Sequence, residues 1–160
     1  MLIAGVKYTL PDSAVKSETA KPESKGTGKT MHYHIFGKEH ADVEIIGNDL
    51  KGAVYYLMAG HGGPDPGAVG TYNGHQLCED EYAYDVTLRL GRKLISHGAS
   101  VYMITRDKND GIRDENYLKA DKDEVCYPNL RIPLNQTRRL RQRTDAVNQL
   151  YKRIKILFKE

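Results

Sequence analysis

The feature that most constrains this fold is a strand–loop–helix–strand run between Ala53 and Thr105. Ala53-Val54-Tyr55-Tyr56-Leu57-Met58 is an apolar run of strand length and predicts a buried strand. It feeds Gly60-His61-Gly62-Gly63-Pro64-Asp65-Pro66-Gly67-Ala68-Val69-Gly70. There the glycines permit left-handed backbone and close approach of a ligand, and the prolines stiffen the turn. After a short polar loop, a helix is predicted from about Glu79 to His97, with Ala83, Val86, Leu90 and Leu94 on one apolar face. Glu79, Asp80 and Glu81 suit the positive end of its dipole, and Gly98 suits the residue just past its end. Ser100-Val101-Tyr102-Met103-Ile104-Thr105 is the next strand. Strand, helix, strand of these lengths make a right-handed βαβ unit with parallel strands. The expected fold class is therefore α/β, a mostly parallel sheet flanked by helices. In open sheets of this kind, sites gather at the carboxyl ends of strands, which is where His61 falls.

The flanks are less regular. Residues 1–10 read as a strand or the tail of a preceding element. Residues 11–30 are rich in Ser, Lys, Thr, Glu, Gly and Pro and read as a flexible linker, with too little apolar surface to offset ordering entropy. Residues 31–160 are then the portion expected to fold as one α/β domain. Met31-His32-Tyr33-His34-Ile35-Phe36-Gly37 alternates like a strand, so His32 and His34 would share a face, either as a metal pair or as two half-exposed strand histidines. Residues 106–133 are polar and aperiodic, a long insertion of the kind that often borders a functional groove. A second helix is predicted from about Leu134 to Tyr151, with Leu140, Val147 and Leu150 buried.

The Gly60–Gly70 loop resembles the opening motif of the zinc-dependent N-acetylmuramoyl-L-alanine amidases. Residues 53–150 carry the resemblance. In that family the histidine of Gly-His-Gly-Gly is the first zinc ligand, which implies His61. The second is a glutamate opening the next helix, and the family's spacing to Thr105-Arg106 places it on Glu79, with Glu81 as the alternative. Thr87-Leu88-Arg89-Leu90 and Gly98 fit the same register, and Leu140-Arg141-Gln142-Arg143 followed by Asn148 resembles the later Leu-x-x-Arg and Asn. Arg106 is read as a structural ion-pair partner rather than a substrate contact, and His75 as idle. The family carries an acidic residue where this chain has Met58, a place from which a carboxylate would orient the histidine.

The resemblance implies zinc as cofactor, peptidoglycan as partner, and hydrolysis of the amide between N-acetylmuramic acid and the L-alanine of the stem peptide. It also implies work in the cell envelope, although Met1–Val6 is too short for a signal-peptide core. The family's third zinc ligand and its proton-shuttling glutamate come later than Asn148, and residues 149–160 hold no histidine. The chain is thus expected to be the N-terminal, truncated part of an amidase-like domain, with its catalytic and substrate-binding residues unassigned. The alternative is a catalytically inactive amidase-like module that binds peptidoglycan as a scaffold.

Other classes are disfavoured. No apolar run is long enough for a membrane span. A net charge of +3 and a late basic cluster without stacking aromatics do not make a nucleic-acid surface. That cluster (Arg138, Arg139, Arg141, Arg143, Lys152, Arg153 and Lys155) reads as a solvated helix face. Cys78 and Cys126 are too few for a disulfide framework and either pair or stay free. Oligomeric state is not encoded in any feature of the sequence.

Overall fold

The computed structural model describes residues 28–157. The tail expected over residues 1–10 and all but the end of the linker expected over 11–30 lie outside the described residues. In chain order the elements begin with β1 (Thr30–His32), a 3-10 turn (His34–Phe36), β2 (Asp42–Glu44), β3 (Val54–Leu57), β4 (Val69–Tyr72) and β5 (His75–Cys78). Helix α1 (Glu79–Ser96) follows, then β6 (Ser100–Met103), β7 (Thr105–Arg106), β8 (Val125–Cys126), β9 (Leu130–Arg131) and helix α2 (Gln136–Leu157).

The βαβ unit is present. β3 and β6 pair in parallel, from Val54 opposite Ser100 to Leu57 opposite Met103. Alternation along these strands builds two cores on opposite faces. Leu57, Val101 and Met103 pack with Tyr84, Leu88 and Ile95 of α1, and with Phe36, Val43 and Ile45 from the β1–β2 region. Tyr56, Tyr102 and Ile104 pack with Cys126, Ile132, and Ala146 and Leu150 of α2. The result is a helix on each side of a parallel pair. Gly91 lets α1 approach the sheet closely, since a Cβ there would sit 3.5 Å from Leu57 and from Met103.

The sheet departs from the mostly parallel expectation. Among the described residues β3–β6 is the parallel pairing, and the remaining pairings, β1–β2, β4–β5, β7–β8 and β8–β9, are antiparallel. The mixed α/β class holds, as several small sheets with two helices. Part of the reason lies in turn chemistry. Asn73 and Gly74 take φ of 49° and 78° between Tyr72 and His75, the two-residue turn that folds a chain back into a hairpin. The loop after Gly70 is therefore a β-hairpin.

Both helices start close to expectation, and Ala83, Val147 and Leu150 pack inward as expected, but part of each expected face is exposed. Val86 and Leu90 of α1 are exposed, and so is Leu140 of α2. The buried side of α1 holds Asp80, Glu81, Tyr84, Asp85, Leu88, Gly91 and Ile95. Its polar half is covered by the 106–133 segment, whose backbone N–H groups need acceptors. Glu81 accepts from the Asp121 N–H at 2.8 Å, Asp85 from the Arg113 N–H at 2.8 Å, and the Tyr84 hydroxyl from the Asp107 N–H at 2.9 Å. No helix among the described residues is long and apolar enough to cross a membrane.

Candidate active site

The histidine loop leaves β3 and closes on itself between Gly62 and Asp65, the Gly62 N–H donating to the Asp65 carbonyl at 2.8 Å. His61 just before it takes a φ of 56°, a left-handed conformation that costs a side-chain-bearing residue about 1–2 kcal/mol. Local bonds hold it there. Its ring Nδ1 lies 2.9 Å from the Asp65 carboxylate, and its carbonyl accepts from the Arg143 guanidinium. Asp65 also forms an ion pair with Arg139 and accepts from the Gly67 N–H at 3.4 Å. Burial works against the Asp65 charge, but the His61 bond, the Gly67 N–H and the Arg139 charge outweigh it and hold the carboxyl below its usual range. An ionised carboxylate only accepts, so Nδ1 carries a ring proton, and Nε2 is the nitrogen that a neutral ring would offer to a metal.

Nε2 faces Glu79. His61 Nε2 and Glu79 Oε2 are 3.5 Å apart, with 36 % and 49 % of the two side chains exposed. The Ala68 N–H donates to the same Glu79 oxygen at 2.9 Å and fixes it. Gly67, at φ 69°, closes the third side; a Cβ there would lie 2.8 Å from both the Glu79 oxygen and the imidazole. Glu81 is only 2 % exposed and ion-paired to Arg113 at 2.8 Å. The fold thus sets Glu79, and not Glu81, against His61. Beside the pair, Ala68, Val69, Gly70, Leu77, Tyr82 and Glu79 itself line an open cleft of about 380 Å³.

Other sequence candidates settle elsewhere. Met58 is exposed, and Asp65 supplies the orienting carboxylate expected from that position. Arg106 has no ion-pair partner among the described residues: it donates to the Pro128 carbonyl and to Asn129 at 2.9 Å, and lies over the Tyr127 ring. It pins the β8–β9 turn. His75 stacks on Tyr117 with ring centroids 4.0 Å apart. The strand expected over Met31–Gly37 ends at His32, which bonds its cross-strand partner Asp42 at 2.6 Å, and His34, 3.3 Å from His32, lies in the 3-10 turn. Cys78 and Cys126 are free and buried. The late basic cluster is only partly a solvated face, because Arg139 and Arg143 turn inward to the histidine loop.

Below the loop lies an acidic layer that periodicity did not flag. The buried Glu124 carboxylate accepts from the Gly63 N–H at 2.6 Å. Burial, then the neighbouring Asp80 and Glu81 charges, push its pKa up to about 7, against the pull of the Gly63 bond. Burial and Glu81 likewise raise Asp80 to about 6. Among the described residues the groups of three or more converging metal-type ligands are Asp80–Glu81–Glu124 and Asp107–Asp121–Glu124, and neither includes His61. The Gly63–Glu124 link joins positions far apart in sequence, which is why no spacing pointed to it.

Comparison with curated proteins and with solved structures gives no match. A family model described as N-acetylmuramoyl-L-alanine amidase matches residues 56–156. That span takes in the end of β3, the histidine loop, α1, β6, the polar insertion and nearly all of α2, most of the chain. The chain belongs to the N-acetylmuramoyl-L-alanine amidase family.

Proposed function

We propose that this chain is a zinc-dependent peptidoglycan amidase domain in which His61 and Glu79 are metal ligands. The observation that carries the reading is the 3.5 Å approach of His61 Nε2 to Glu79 Oε2, with Nδ1 already committed to Asp65. Nitrogen and oxygen ligands at about 2.0–2.2 Å from a tetrahedral zinc stand about 3.4 Å from each other, so the pair fits the ion. A catalytic zinc takes three protein ligands and an open position. Among the described residues no third His, Cys, Asp or Glu converges on this pair, so in this reading the third ligand comes from beyond them.

The reaction is hydrolysis of the amide between the lactyl group of N-acetylmuramic acid and L-alanine. Bound zinc supplies a water of lowered pKa and polarises the scissile carbonyl. The chain's own residues prepare that arrangement. Asp65 holds the proton on His61 Nδ1, Arg139 balances Asp65, and Arg143 fixes the strained His61 backbone. The Ala68 N–H aims Glu79, and Gly67 leaves room between the ligands. The cleft along Val69, Leu77 and Tyr82 is where the stem peptide would lie.

The test is retention on intact peptidoglycan, with zinc and with chelator. Zinc-dependent retention, weakened at least tenfold by Glu79→Gln, is expected. Retention insensitive to chelator and to Glu79→Gln would favour the inactive scaffold, and no retention would overturn both. Release of stem peptides from muropeptides would show that ligand set and proton shuttle are complete, against the expectation from the sequence.

A further inference from the structure

Three carboxyl groups from two distant stretches meet beneath the histidine loop. Asp80 and Glu81 come from the first turn of α1 and Glu124 from the residue before β8. Their ligand oxygens all lie within 4.8 Å of one another, and the residues are 2 %, 2 % and 4 % exposed. Four of their six carboxyl oxygens accept a hydrogen bond. Glu81 accepts from the Asp121 N–H and from Arg113 at 2.8 Å each. Glu124 accepts from the Gly63 N–H. Asp80 Oδ1 accepts from the Glu81 N–H at 3.0 Å.

Asp80 Oδ2 does not. It is buried and has no hydrogen-bond partner among the described residues. Arg113 touches the cluster, but it is already shared between Glu81 and Asp110. One guanidinium therefore faces three buried carboxyl groups, and a buried carboxylate without a partner costs several kcal/mol. A fold retains such an oxygen when something positive meets it.

We propose that Asp80, Glu81 and Glu124 form a calcium site, distinct from the His61–Glu79 pair, that fastens the 107–124 segment to α1 and to the histidine loop. The donor set is oxygen only, which suits a hard cation and not zinc. Oxygens around Ca²⁺ at about 2.3–2.6 Å are separated by up to about 5 Å, and the cluster falls inside that limit. Calcium also tolerates irregular coordination, whereas Mg²⁺ demands a near-octahedral shell. Asp121, exposed and part of the neighbouring group with Asp107 and Glu124, opens the cluster to solvent.

The site is testable on the whole chain, saturated first with zinc, using Tb³⁺ as a luminescent stand-in for Ca²⁺. Tyr84, buried one turn along α1, is positioned to sensitise it. One class of Tb³⁺ sites is expected, displaced by Ca²⁺ far better than by Mg²⁺. Its affinity should fall at least tenfold in Glu124→Gln and in Asp80→Asn, and should be unchanged in His61→Ala. Because either cluster variant could unfold, Ca²⁺ binding to the unaltered protein is measured in parallel by equilibrium dialysis, with one equivalent beyond zinc expected. Absence of that equivalent, emission indifferent to Glu124→Gln in folded protein, loss in His61→Ala, or preferential displacement by Mg²⁺ would each overturn the assignment.

Discussion

His61 illustrates how a strained backbone is held by its neighbours. Its left-handed conformation turns the ring so that Nδ1 meets Asp65 and Nε2 meets Glu79. Asp65→Asn removes the charge that fixes the proton on Nδ1, and carboxylates of this kind are worth about 10–100-fold in metal affinity. Zinc affinity, measured by competition with a chromophoric chelator, should fall by that factor while circular dichroism is unchanged. At this scale the sequence was legible for His61, because the glycine loop isolates it. It was less so for the glutamates, since Glu79 and Glu81 occupy one helical turn and only Gly67 and Ala68, folded back over α1, distinguish them. Glu124 was not legible at all. Its contact with Gly63 is a tertiary event, and its chemistry comes from burial.

Glu124 also gives a pH prediction. Its folded pKa of about 7 lies above the value near 4.5 expected when unfolded, so the folded state binds more protons between those values. Its contribution is full below about pH 4.5 and is lost as pH rises through about 7. For a shift of this size the change is roughly 3 kcal/mol. Denaturation of the metal-free protein across this range should show stability falling with pH, and Glu124→Gln should flatten that slope.

Among the elements, α1 shows where periodicity misleads. The stripe through Val86 and Leu90 faces solvent, while the buried side joins Tyr84, Leu88 and Ile95 to carboxylates that serve the backbone of the polar insertion. Hydrophobic spacing assumes an apolar neighbour, and the first turns of α1 meet instead an irregular chain in need of acceptors. Leu90→Glu should change stability by no more than about 0.5 kcal/mol, the usual scale for exposed sites. Gly111→Ala, within the insertion, should cost about 2 kcal/mol or more, because a Cβ there would enter the backbone of Gly37. Urea denaturation of the two variants checks both. The β4–β5 hairpin, by contrast, announces itself in Asn73-Gly74, whose paired positive φ angles match the flanking strand twist. Reading that dipeptide as part of a loop overlooked a local signal.

For the molecule as a whole, the βαβ unit was legible because its apolar runs, caps and lengths all agree. The second core was not, since Ile104, Cys126, Ile132, Ala146 and Leu150 come from four separated stretches. This core fixes where α2 lies, and α2 delivers Arg139 and Arg143 to the histidine loop. Fold and candidate site are therefore coupled through a helix that sequence reading assigned to solvent on its basic side.

In the proposed site His61 and Glu79 hold zinc. A calorimetric zinc titration of the purified chain, repeated with His61→Ala, tests it most directly. Saturable binding of one equivalent, lost in the variant while its fold is retained, is the predicted result. Zinc binding that survives His61→Ala, or none in the unaltered protein, would contradict it.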